Sequence, residues 1–204
     1  MAPVVETYAL GPTQTNCYAI RAEAGGRDAV VVDPGYDELR LDGTVSAILV
    51  THCHWDHLGG IAPLAESSGA PVYMPEREAQ VLETPEAFFP GQQIPPYRPD
   101  VRVNGGDRVE AGALAFDVVD VPGHSPGHVA YAVDGAVFSG DLLFAGSVGR
   151  TDLPFADWDT LFESIAMLFD RFPPETIVYP GHGPPTTLAA ERARNPFLTE
   201  LRAS

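Results

Sequence analysis

The chain has 204 residues, 45% of them hydrophobic, which suits one compact domain over 1–204 or two half-domains sharing a core. Twelve Lys and Arg stand against 28 Asp and Glu, a formal charge of -16; nucleic acid and anionic membrane need clustered cations and are excluded as partners. Every one of the twelve is Arg, so the absence of Lys removes Schiff-base chemistry and the lysine-dependent phosphate loop.

The opening residues Met1 to Thr7 have no basic segment followed by an apolar core, and no later run reaches the roughly 18 apolar residues of a membrane span. A cytoplasmic protein is expected, with Cys17 and Cys53 as reduced thiols, since two cysteines make no disulfide framework. β-type runs come first, at Val4 to Leu10, Cys17 to Arg21, Ala29 to Val32 and Ile48 to Thr51, separated by Gly, Pro and Asp. Helical patterns are expected at about Gly60 to Glu66, Glu76 to Leu82, Trp158 to Phe169 and Thr187 to Arg194. The third has a clear stripe of Leu161, Ile165, Leu168 and Phe169. Thr84 to Pro99 carries five prolines and reads as an irregular excursion, either a rigid surface loop or a cover for a site. Val101 to Val121 reads as strand, turn and strand around Asn104-Gly105-Gly106-Asp107, and Val129 to Ser139 as a hairpin turning at Asp134-Gly135. Two β-rich halves with outer helices and no evident linker imply one layered α/β unit.

The chemistry concentrates in Thr51-His52-Cys53-His54-Trp55-Asp56-His57, which follows the apolar run Ile48-Leu49-Val50. On extended chain His52 and His54 point to one side, and the following turn can swing Asp56 and His57 towards a second point. Cys53, between them, points the other way. Three imidazoles and a carboxylate packed this closely repel as cations or leave ring nitrogens unpaired unless a metal takes them. The remaining histidines also lie in strand-end loops: His124 and His128 in Pro122-Gly123-His124-Ser125-Pro126-Gly127-His128, and His182 in Pro180-Gly181-His182-Gly183. Asp141 follows the apolar run 136–140 and adds a carboxylate able to bridge two cations.

The order H-x-H-x-D-H, Gly-His, Gly-Asp, Gly-His-Gly resembles the metallo-β-lactamase superfamily over nearly the whole chain. The resemblance implies a four-layer αββα sandwich of two mixed sheets flanked by helices. It also implies two metal ions, zinc with iron or manganese as substitutes: His52, His54 and His124 on the first, Asp56, His57 and His182 on the second, Asp141 and a hydroxide between them. Thr15-Asn16-Cys17-Tyr18, Asp33-Pro34-Gly35, Ser139-Gly140-Asp141-Leu142-Leu143-Phe144, Gly149-Arg150-Thr151-Asp152 and Asn195-Pro196-Phe197-Leu198 resemble short glyoxalase II-like proteins. A thioesterase acting on a small S-acyl thiol conjugate is thus implied. Asp141 stands where zinc β-lactamases commonly place a cysteine, which counts against an antibiotic-degrading enzyme. Full-length glyoxalase II has an added C-terminal helical region that grips glutathione, whereas this chain stops soon after Leu198, which leaves the thiol open.

Within that reading Asp56 is the catalytic carboxylate, orienting the hydroxide or accepting its proton. A thioester suits the inventory because a thiolate, with a pKa near 8.5, leaves without a strong acid, whereas an amide nitrogen needs one. Asp33 and His128 are candidates to steady the ligands from behind. Arg150 is a candidate for an acidic substrate tail and Tyr97 for a pocket wall. Two alternatives remain: a mononuclear iron persulfide dioxygenase using His52, His124 and Asp141, which the 149–152 stretch resembles equally, and a non-catalytic metal- or thiol-binding protein. Oligomeric state is left open.

Overall fold

The structure is a computed structural model and describes residues 2–199; Met1 and 200–204 of the expected 1–204 unit lie outside the described residues. Six strands form one sheet in chain order: β1 (Val4–Leu10), β2 (Thr15–Arg21), β3 (Asp28–Val32), β4 (Thr44–Leu49), β5 (Val72–Pro75) and β6 (Val101–Val103). The first three are antiparallel and the last four run parallel, so the sheet is mixed. The second sheet contains β7 (Arg108–Ala111), β8 (Leu114–Asp120), β9 (Val129–Val133) and β10 (Ala136–Gly140). After a small hairpin of β11 (Leu143–Phe144) and β12 (Ser147–Val148), β13 (Ile177–Pro180) joins β10 in parallel and β14 (Thr186–Thr187) closes that edge. Helices α1 (Ile61–Ser68), α2 (Ala79–Glu83) and α3 (Pro85–Phe88) lie on the first half, α4 (Trp158–Arg171) and α5 (Leu188–Arg194) on the second.

Period-two alternation divides the apolar residues among the layers. Ala47 and Leu49 of β4, Phe116 and Val118 of β8, Tyr131 of β9 and Phe138 of β10 meet between the sheets. Their neighbours face outward: Ile48 and Val50 pack with Ile61 of α1 and Leu82 of α2. Val119, Ala130 and Val137 pack with Leu161, Ile165 and Leu168 of α4. These residues form the αββα sandwich. The start of α4 is set by Asp157, whose carboxylate accepts from Thr160 N–H, a cap that contributes about 1 kcal/mol. Among the described residues no helix is long and apolar enough to cross a membrane.

The structure corrects several expectations. The turn at 104–107 does not close a hairpin: β6 ends the first sheet and β7 begins the second, so this is where the chain changes layers. The true hairpin turns at Gly112 and Ala113, both at positive φ, and pairs β7 with β8. The expected strand at 48–51 spans Thr44–Leu49 instead, and β5 goes unread because Pro75 ends it after four residues. The proline-rich excursion contains the one-turn helix α3. Phe89 and Tyr97 from that excursion pack on the outer cluster with α1 and α2.

Candidate metal centre

Each candidate ligand leaves the end of a strand. β4 runs out at Leu49 and releases Thr51 to His57; β8 releases the His124 loop; β10 ends in Gly140-Asp141; β13 ends in Pro180-Gly181-His182. Cross-bonds draw these ends together, with Val129 N–H donating to Thr51 O at 2.9 Å and Gly181 N–H to Gly140 O at 2.8 Å. Asn16 of β2 donates through its amide to Pro180 O and Gly183 O, and its own N–H bonds Gly181 O, so the first sheet holds the His182 loop directly.

Two groups result. In the first, one ligand atom each from His52, His54 and His124 lies within 4.8 Å of the others; in the second, the same holds for Asp56, His57 and His182. Asp141 stands between them, Oδ1 3.5 Å from His57 Nε2 and Oδ2 3.5 Å from both His124 Nε2 and His182 Nε2. The seven side chains named from the sequence therefore converge.

The rings are aimed by groups behind them. His57 Nδ1 donates to Asp33 Oδ2 at 2.9 Å, and His124 Nδ1 donates to the main-chain carbonyl of Arg150 at 2.8 Å. In each ring the proton is thus on Nδ1 and Nε2 faces inward. Asp33 sits at positive φ after β3, a strained conformation for a non-glycine residue. Bonds from Thr51 N–H and Thr51 Oγ1, at 2.8 and 2.6 Å, hold it there. The Thr15 hydroxyl donates to Asp56 Oδ2 at 2.9 Å. Gly181 has no substitute, because a Cβ there would collide with Asp141 Oδ1.

Electrostatics divide the groups. Burial pushes His52 well below the usual histidine range, and burial with the adjacent His124 takes His54 to about 4. Burial lowers His124 too, against the opposing pull of Asp141. Burial would lower His57, but Asp141 and Asp33 outweigh it and raise the ring. Hydrogen bonds to Asp141 and Asp56 raise His182 to about 9. Burial opposes ionisation of Asp56 and Asp141, yet His182 and His57 win and both carboxyls are lowered.

These residues fit a pair of divalent cations. His52 Nε2, His57 Nε2 and Asp141 Oδ1 are buried without a hydrogen-bond partner among the described residues, an arrangement that is costly unless a cation accepts their lone pairs. His54 Nδ1 and His124 Nε2 come within 2.8 Å. All donors are nitrogen or oxygen, suited to zinc, iron or manganese.

The other sequence candidates fall elsewhere. His128 is buried with neither ring nitrogen partnered among the described residues, and its ring lies 4.7 Å from that of His52. Burial keeps it well below the usual range, so it stands beside His52 as a neutral ring that hydrogen-bonds none of the candidate ligands among the described residues. The Arg150 guanidinium is exposed and held bidentate by Asp152 at 2.7 and 2.8 Å; its carbonyl, not its charge, meets the centre. The Tyr97 hydroxyl donates to Asp100 at 3.3 Å and its ring belongs to the outer cluster. Cys53 lies in that cluster as well, and burial raises its thiol well above the usual range. Sequence reasoning missed Thr15, Asn16 and Thr51 as supports, although the run Thr15-Asn16-Cys17-Tyr18 and the position of Thr51 beside His52 carried the signal. It also missed Phe144, whose ring lies 6.1 Å from that of His182.

A family model described as the metallo-beta-lactamase superfamily matches residues 10–182. Among curated relatives, the chain is 33% identical to the probable metallo-hydrolase YqgX of Bacillus subtilis, over 93% of this chain and 94% of that one. It is 32% identical to the hydroxyacylglutathione hydrolase GloC of Haemophilus influenzae, over 91% and 93%. Among solved structures it is similar to BLEG-1, a B3 metallo-beta-lactamase, with TM-score 0.85, 35% identity and coverage of 96% and 100%. TTHA1623 in a di-iron-bound form follows at TM-score 0.76 and 40% identity, covering 97% and 100%. ETHE1 from Myxococcus xanthus matches at TM-score 0.79 and 30% identity, covering 95% and 83%.

Proposed function

The chain belongs to the metallo-beta-lactamase superfamily, and on that premise we propose that it is a metal-dependent thioester hydrolase of the glyoxalase II type, acting on S-acyl conjugates of a small thiol. The observation that carries hydrolysis is Asp141 standing between two complete ligand groups, one oxygen facing His57 and the other His124 and His182. Paired dications held there would supply a water of lowered pKa and polarise a substrate carbonyl. Asp56, kept ionised by His182 and fixed by Thr15, is the carboxylate that would orient an attacking water and accept its proton. The thioester in particular is supported by His128: buried and bonded to nothing among the described residues, it is no acid for an amide nitrogen, whereas a thiolate departs unaided. The likeness to GloC points the same way.

The experiment is metal analysis of anaerobically purified protein with three parallel assays: thiol release from S-lactoylglutathione, opening of a β-lactam, and oxygen uptake with glutathione persulfide. Two zinc ions per chain with thiol release are expected, and little turnover of the β-lactam amide. The second reading, a mononuclear iron dioxygenase, draws support from the likeness to ETHE1. One iron with oxygen uptake and no thiol release replaces the first reading with it; bound metal with none of the three activities points to a binding protein.

A further inference from the structure

Glu78 has no part in the centre as described, yet it ties two of its loops together. It closes the 3-10 turn Glu76–Glu78 after β5 and is 2% exposed. Its Oε2 accepts from Cys53 N–H at 2.6 Å and its Oε1 accepts from Gly127 N–H at 2.8 Å. Cys53 is the residue between His52 and His54; Gly127 lies three residues beyond His124. The two loops come from different sheets, so one side chain spans the seam behind the three-histidine group. The fit at Gly127 is close, since a Cβ there would stand 2.7 Å from Glu78 Cγ and 2.8 Å from Arg77 Cβ. A carboxylate accepts at both ends and makes short charge-assisted bonds, whereas an amide of the same size must turn a donor towards one of the two N–H groups.

We infer that Glu78 is a positioning residue: it sets the spacing between the His52–His54 segment and the His124 loop, and through it the affinity of the three-histidine site for a divalent cation. It touches neither the cation nor the substrate. The inference rests on the reading of these histidines as a metal site, and not on which bond the enzyme breaks.

The test is stepwise zinc titration of metal-free wild type and Glu78→Gln against a chromophoric chelator, with folding followed by circular dichroism. One binding step should weaken by about 10- to 100-fold, the range seen when a group behind a ligand is lost, and the other should change by less than about threefold. The same loss should persist in a His182→Ala background, where the three-histidine site is the one left intact. Equal weakening of both steps, which a general loosening of the fold would give, overturns the inference; so does no weakening. Should Glu78→Gln not fold, Gly127→Ala presses a methyl onto the Glu78 stem instead. Selective weakening of the same step supports the proposal, and an unchanged titration overturns it. Failure of the hydrolase reading is seen separately, as wild type that binds two zinc ions and releases no thiol.

Discussion

The three-histidine group and the Asp56, His57, His182 group face each other across Asp141, and they are built on opposite electrostatic plans. His52, His54 and His124 are all pushed down, so at neutral pH the rings carry no charge, and the proton that His54 Nδ1 shares with His124 Nε2 is the one a cation would displace. His57 and His182 are raised by carboxylates, and His182 is 31% exposed. The first group is a preformed socket made by desolvation; the second is held by charge, and there protons compete with metal.

Removing what the two groups share should break the contrast outright. Asp141→Asn keeps the shape but halves the acceptor capacity and deletes the charge; both ions are expected to weaken and thioester turnover to fall by about a thousandfold or more, the several kcal/mol a metal contributes to such a transition state. Metal content and kcat/KM check it, and intact values for both would sink the shared-bridge picture. A smaller effect should separate the groups. Asp33→Asn loses the acceptor that fixes the His57 tautomer, and a loss of about 10- to 100-fold in affinity confined to the second site is expected by competitive titration. Thr15→Val takes one hydrogen bond from Asp56 and should cost about 1 kcal/mol, roughly fivefold in kcat, with both ions retained. The gentlest test uses the metal-free chain. His182 is raised from 6.5 to about 9, so its contribution to stability is full below pH 6.5 and is lost as pH rises towards 9. The melting temperature of metal-free protein should fall over that window, and His182→Ala should flatten the fall.

The candidate ligands were legible because they follow apolar runs: the run gives the strand, a glycine ends it before His124, Asp141 and His182, and the side chains at that end are named by position. Asp33 was legible for the same reason. The change of sheet at 104–107 was not, because Asn104-Gly105-Gly106-Asp107 announces a reversal without saying which strand receives it, and β6 contributes only three residues of pattern. Arg150 stood out for its guanidinium, which Asp152 two residues on holds, while the atom that meets the centre is a carbonyl that every residue possesses and no sequence pattern marks. Glu78 gave no signal at all: an acidic residue at the start of a helical pattern is ordinary, and the two N–H donors it accepts from, Cys53 and Gly127, are 25 and 49 residues away.

Asn16 strings together carbonyls on both sides of Gly181, lacing a strand of one sheet to a loop of the other. An ion held by His182 would thereby be tied, through one asparagine, to both halves of the fold.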